Sequence, residues 1–422
     1  QVAKRIANIR FDLTGTDEKK QETPEENDMK YDFDTVIGRR GTKSLKYDFA
    51  KERGRDENIL PLWVADMDFR TVPEVSKRLA EAALHGIYGY SEAKEDYFEA
   101  IRSWYEKYFS WNPKEKWLIK TPGVVFAIAA AIRAFTKPGE GVLIQQPVYY
   151  PFGEAITDNG RVPVNSPLKL KDGRYEVDFA DFERKIVEQN VRLFLLCSPH
   201  NPVGRVWKEE ELRRMGDICL THGVKIVSDE IHGDFTYPGY RQIVFASLGE
   251  AYAENSVICT APSKTFNLAG LQVSNIFIPN PQLRSQFKKA VDAAGYSQLN
   301  LMGLIGCQAA YETGEEWLKQ LKEYLQGNLD FVRSYLLRNL PQIHLIEPEG
   351  TYLLWLDFRA LGMTEAQRTD LIEKKAHLWL DSGAMFGVDG EGFERINIAC
   401  PRATLKQALD QLRDAVIAES DQ

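Results

Sequence analysis

From about residue 115 onward, short apolar runs that close on polar or turn residues alternate with helix-length amphipathic stretches. The runs are GVLIQQP (141–147), VRLFLLCSP (191–199), VKIVSDE (224–230), SVICT (256–260) and VSNIFIP (273–279), and the stretches between them include 178–189 and 208–222. Continuously apolar strands separated by helices predict a largely parallel sheet covered on both faces. The link from 260 to 273 is short, so the last two strands are expected to pair antiparallel. A helical pattern over 315–339, EEWLKQLKEYLQGNLDFVRSYLLRN, predicts one helix of about seven turns, with Gly327 as a point of bending. Beyond it, GTYLLWLDF (350–358) reads as a strand, TEAQRTDLIEKKAHLWLD (364–381) as a helix, RINIAC (395–400) as a strand, and the chain from about 403 as a terminal helix.

The fold class that follows is α/β. A large domain with a mostly parallel sheet between helix layers is expected over 75–314, with a smaller α+β domain built from both chain ends, 29–74 and 315–422. Residues 17–28, DEKKQETPEEND, are almost wholly charged or polar and cannot bury a core, so 1–28 is set apart as an extension or added leader. The total of 422 residues agrees with two packed domains, being more than one core usually supports.

Composition narrows the partners. With 44% hydrophobic and 27% charged residues the chain reads as an ordinary globular protein. A formal net charge of −8 and the lack of a long Lys/Arg run exclude a nucleic-acid partner. The longest apolar run, FAIAAAIRAF (126–135), is too short for a bilayer and contains Arg133, so no membrane partner is expected. Five scattered cysteines (197, 219, 259, 307 and 400) without CxxC spacing suggest buried thiols in a reducing compartment. With no apolar export segment at the N-terminus, a cytoplasmic enzyme is the expectation. Six dispersed histidines and no HExxH give no reason to expect a metal.

In open parallel sheets ligands bind beyond the carboxyl ends of the strands, so the polar residues closing the runs are the candidates. Tyr149, Asn201, Asp229 and Lys264 all stand there. Taken singly, each has a bland reading: a half-buried aromatic, a turn residue before Pro202, a helix cap or one half of an ion pair, a solvated lysine. The helix expected after TPG (121–123) offers backbone N–H groups at Gly123, Val124 and Val125 to an anion, as any helix start does. Together these are an aromatic face, an amide, a carboxylate, a lysine and a phosphate-sized anion site. Pyridoxal phosphate needs that combination.

The segments PLWVADMDF (61–69), HGIYGYS (85–91), CSPHNPVGRVW (197–207), VSDEIHGDF (227–235), APSKTFNLAGLQ (261–272) and RINIACPR (395–402) occur in one order. From about Met29 to the C-terminus the chain resembles fold-type I pyridoxal-phosphate enzymes, specifically the MalY/PatB-type cystathionine β-lyase (C–S lyase) branch. The resemblance implies that Lys264 links covalently to the cofactor aldehyde and moves the substrate α-proton. It places Asp229 against the pyridine nitrogen, Tyr149 on the ring face, Asn201 at the 3′-oxygen, and His232 where many aminotransferases of this fold carry a tyrosine. Gly123, Val124, Val125, Thr260 and Ser263 are implied phosphate contacts, with Tyr90 of the partner subunit completing a site shared across a homodimer. Arg395 is implied as the clamp on the substrate carboxylate, a task suited to a planar guanidinium. Gln272 stands where aminotransferases commonly carry a phosphate-binding arginine, which leaves the phosphate less neutralised. The implied reaction is β-elimination of L-cystathionine or another cysteine S-conjugate to pyruvate, ammonia and a thiol. An aminotransferase is the alternative, and a non-catalytic pyridoxal-phosphate-binding regulator a more distant one, against which intact Lys264 and Asp229 argue.

Overall fold

Seven strands form the central sheet, in the spatial order 118–121, 274–277, 256–260, 225–229, 191–197, 141–144, 162–165. The computed structural model describes residues 30–420, and the expectation for 1–28 lies outside them. The last five strands of that order run parallel. Ser274–Phe277 pairs antiparallel with both Ser256–Thr260 and Leu118–Thr121, as the short link required.

The strand Val191–Cys197 shows why both faces must be covered. Its successive side chains point to opposite faces, and all but Arg192 are buried. Leu193 and Leu195 enter a core with Ala127, Ile128 and Ala131 of the helix Val124–Phe135 and with Phe287 of the helix Pro281–Ala293. On the other face, Phe194 meets Phe182 of the helix Phe179–Glu188 edge-on at 5.0 Å. Each such side chain, fully withdrawn from water, contributes roughly 1.5–3 kcal/mol. The five cysteines are all buried and unpaired, as read from their spacing.

A second, antiparallel sheet has the order 344–346, 353–357, 393–397, 381–382. The helix Glu315–Asn339 has the predicted bounds and runs unbroken through Gly327. The single helix expected over 364–381 is not formed. A short helix Glu365–Thr369 passes into a wider π-type turn, Asp370–Lys375, and stops before His377, whose φ of 50° is left-handed. Leu378–Trp379 then pairs parallel with Leu60–Pro61, and Asp381–Ser382 pairs with Phe393–Asn397. The run Leu378-Trp379-Leu380-Asp381 is wholly buried, and pairing with a segment more than three hundred residues away prevails over helical continuation. That pairing ties the N-terminal segment to the C-terminal sheet.

Candidate active site

At the carboxyl ends of the parallel strands, between the two sheets, lies a cavity of about 300 Å³. Its walls carry Gly123, Val124, Val125, Tyr149, Asn201, Asp229, His232, Ser263, Lys264, Gln272 and Arg395. Larger hollows of about 450 and 530 Å³ lie between residues 233–242 and the helix Glu315–Asn339, and hold none of the predicted residues.

Lys264 sits in the single helical turn Pro262–Thr265 that directly follows the strand Ser256–Thr260. Its Nζ donates to the carbonyl of Ala65 at 3.1 Å. Burial lowers its pKa to about 8; Asp66 and Asp229 oppose that fall and Arg395 adds to it. Asp229 ends the strand Lys225–Asp229, is 6% exposed, and accepts the Ile231 N–H at 3.2 Å through Oδ1. Burial pushes its carboxyl up to about 6, against the pull of that N–H and of Lys264. The same loss of water thus moves an acid up and a base down, and brings both toward their neutral forms.

The backbone N–H of Tyr149 donates to the Asn201 carbonyl at 3.0 Å, which joins two strand ends. The loop carrying Asn201 is anchored by the buried Arg205, whose guanidinium meets Glu349 at 3.0 Å and Glu211 at 2.7 Å. Arg395 comes from the strand Phe393–Asn397 of the other sheet. It donates to Asn201 Oδ1 at 3.0 Å, to the Trp63 carbonyl at 2.8 Å and to the carboxylate of Asp381. Its Nε is buried and has no acceptor among the described residues. His232 is buried edge-on against Tyr352 at 5.8 Å, with Nδ1 likewise unpartnered. Burial, then the charges of Lys264 and Arg395, hold its imidazole far below the usual histidine range and therefore neutral.

Two predicted residues are not brought to this cavity. Thr260 is fully buried and its hydroxyl donates to the Asn275 carbonyl of the neighbouring strand at 2.7 Å, so it is held inside the sheet. Tyr90 is 99% exposed and lines no part of the cavity of its own chain. Conversely, Trp63, Ala65, Tyr150 and Asp381 line the cavity without having been singled out. Trp63 and Ala65 lie inside PLWVADMDF, which drew attention only as a segment, while Asp381 was hidden by the helix expected to contain it.

The residues fit pyridoxal phosphate. A lysine amine shares one chamber with a carboxylate for a ring nitrogen and a tyrosine ring. The first turn of the helix Val124–Phe135 faces the same chamber, where its N–H groups suit a phosphate. A Cβ built on Gly123 would meet nothing within 4 Å, so the backbone there stands open to a ligand. The unpartnered Nε of Arg395 leaves a donor for a substrate carboxylate. Gln272, a neutral amide, is on the cavity wall, as is Ser263.

A family model described as aminotransferase class I and II matches residues 57–412. Cystathionine beta-lyase PatB of Bacillus subtilis (strain 168) is 41% identical over 384 residues, covering 91% of this chain and 99% of the relative. Protein MalY of Escherichia coli (strain K12) is 31% identical over 92% of this chain and 99% of its own. Among solved structures, cystalysin from Treponema denticola, which contains a pyridoxal 5′-phosphate cofactor, superposes with a TM-score of 0.89 at 39% identity. That match covers 93% of this chain and all of that one.

Proposed function

The chain belongs to the class I and II aminotransferase family, and within it we propose a pyridoxal-phosphate-dependent carbon–sulfur lyase that β-eliminates L-cystathionine or other cysteine S-conjugates to pyruvate, ammonia and a thiol. One observation carries this reading. The Lys264 amine, the Asp229 carboxylate and an Arg395 with a free Nε share one buried chamber, in a chain 41% identical to a cystathionine β-lyase.

When bound, pyridoxal phosphate supplies an electron-accepting ring that stabilises negative charge at the substrate α-carbon. Lys264 is the base: an amine lowered to about 8 is partly neutral at physiological pH, far more so than an ordinary lysine, and in that form can take the α-proton. Asp229 would hold the ring nitrogen in its protonated form, and that positive charge would lower the carboxyl's raised pKa. Arg395, fixed by Asp381, Asn201 and the Trp63 carbonyl, would offer its free Nε–H to the substrate carboxylate and so orient the substrate toward Lys264. The thiolate departs from the β-carbon with the electron pair, and water converts the released enamine to pyruvate and ammonia.

Several supporting features extend the reading. Leu84, Ile87, Tyr88 and Tyr90 are 64–99% exposed over one short segment, an apolar surface suited to a second copy of the chain. In that homodimer Tyr90 of the partner subunit would complete the phosphate site, and a mixed dimer of Tyr90→Phe and Lys264→Ala chains would recover one intact site. No recovery in verified mixed dimers would refute the sharing. The pairing of Leu60–Pro61 with Leu378–Trp379 supports a small domain made of 29–74 and 315–422 around a large domain of 75–314. Five unpaired buried thiols favour a cytoplasmic setting.

The deciding test is pyruvate release from L-cystathionine without added keto acid. Transamination of unsubstituted amino acids is expected to be at least tenfold slower, about 1.4 kcal/mol in barrier. Dominant accumulation of the pyridoxamine form from L-cystathionine would make the protein an aminotransferase instead.

A further inference from the structure

A second cavity of about 340 Å³ opens beside the first and shares Trp63, Tyr150 and Asp381 with it. We propose that it is the subsite for the departing thiol half of the substrate, and that Arg53 selects thiol halves carrying a carboxylate. The inference rests on the lyase reading above and specifies its substrate class.

Most charges on this second wall are already matched. Arg55 meets Glu373 at 2.7 Å and lies over the Trp379 ring at 4.4 Å. Glu394 is held by Arg368 at 2.7 Å, and Asp381 by Arg395. Two opposite charges remain, Arg53 and Glu154, neither of which has an ion pair among the described residues. The Arg53 guanidinium stacks over the Trp63 ring at 5.1 Å. A stacked guanidinium keeps its N–H edge free for a carboxylate. Trp63 is itself clamped, parallel to Trp379 with ring centroids 4.4 Å apart. Only 7% exposed, its indole Nε1–H is buried and has no acceptor among the described residues, on the wall common to both cavities.

A cysteine S-conjugate held by Arg395 must place whatever lies beyond its sulfur outside the catalytic chamber. If that half is an amino acid, it carries one carboxylate and one ammonium, the complement of Arg53 and Glu154. A plain alkyl thiol offers neither. L-Cystathionine therefore gains an interaction here that S-ethyl-L-cysteine lacks. Because Arg53 is exposed, the gain is about fivefold, the scale of a solvent-accessible charged contact.

The test compares kcat/KM for L-cystathionine and S-ethyl-L-cysteine, read as pyruvate, in the wild-type holoenzyme, Arg53→Ala and Arg53→Lys. Arg53→Ala is expected to lower the L-cystathionine value about fivefold, mainly through KM, and to leave S-ethyl-L-cysteine within twofold; Arg53→Lys restores part of the loss. Equal loss on both substrates, or none on L-cystathionine, overturns the proposal. A second arm is independent of turnover: calorimetric titration of both compounds into Lys264→Ala protein with and without Arg53→Ala. If the wild type releases no pyruvate from either compound, the lyase reading fails, and the titration still decides the subsite. Weakened L-cystathionine binding alone supports it, and unchanged affinity refutes it.

Discussion

Replacing Asp229 by asparagine should make the cofactor-free protein more stable at neutral pH and the loaded enzyme nearly inactive. Asp229 is 6% exposed, and among the described residues its carboxylate meets one hydrogen-bond donor, the backbone N–H of Ile231. Its rise from 3.8 to about 6 corresponds to about 3 kcal/mol of folding free energy. The sign follows from linkage. A folded pKa above the unfolded one means that the folded state holds the proton more tightly, so stability is fully present below about pH 4 and is lost as pH rises through 6. Asparagine keeps the shape and the acceptor for Ile231 but has no charge to desolvate. In cofactor-free protein, the stability difference (Asp229→Asn minus wild type) should therefore climb by about 3 kcal/mol between pH 4 and pH 7 and then level off. Urea unfolding at a series of pH values, followed by tryptophan fluorescence, measures it. Other raised carboxyls, such as Glu230 at about 8, cancel in the difference because both proteins carry them.

With pyridoxal phosphate bound, the order should reverse, because the carboxylate would face a protonated ring nitrogen, a role the amide cannot fill. Loss of transition-state stabilisation should reach several kcal/mol, the range found for preorganised charges in dry sites. A stability difference flat from pH 4 to pH 8, or near wild-type elimination by a loaded Asp229→Asn enzyme, would refute this account of the residue.

Other consequences are equally direct. The rate at which cofactor-free protein takes up pyridoxal phosphate should rise about tenfold per pH unit below 8 and level off above it, since the Lys264 amine must be neutral to attack an aldehyde; Lys264→Ala should show no covalent uptake at any pH, read from visible absorbance. Lys46→Met should cost about 3 kcal/mol in denaturant unfolding, because the fully buried Nζ meets Asp68 at 2.9 Å and its loss leaves Arg39, among the described residues, as the one ion-pair partner of two carboxylates. Gly383→Ala should lose about 3 kcal/mol and raise KM, because a Cβ there would fall 2.0 Å from the Gly390 carbonyl oxygen and displace the strand that holds Asp381 against Arg395.

What could be read in the sequence was what local chemistry decides. The strand Ser256–Thr260 and the helix Glu315–Asn339 have the bounds their patterns gave, because an apolar run between turns and a long 3.6-residue period have few other solutions. The strand-end rule brought Tyr149, Asn201, Asp229 and Lys264 to one cavity without any knowledge of pairing. What local pattern could not show depends on distant partners. Residues 364–381 carry a helical pattern at their start, but Leu378 and Trp379 are taken by Leu60 and Pro61, a contact no local period encodes. Thr260 stands on the last position of its strand, where one hydrogen bond to Asn275 decides whether its hydroxyl faces a ligand or the sheet.

Such long-range partners also set the electrostatics of Lys264. The carbonyl that accepts its Nζ belongs to Ala65, and the same carbonyl accepts the Tyr352 hydroxyl at 2.9 Å. Ala65 is followed by Asp66, which Arg39 meets at 2.7 Å and Lys46 at 3.7 Å, and Asp68 is gripped by the same two cations. These cations keep Asp66 ionised below the usual carboxylate range despite burial. Ionised Asp66 is in turn the strongest influence raising the Lys264 pKa against desolvation. Without it the amine's pKa would fall further, and its neutral form would be a weaker base. The buried cluster around Asp66 and Asp68 therefore does more than fasten the N-terminal segment to the sheet. It holds the lysine near pH 8, where a neutral amine and adequate basicity coexist.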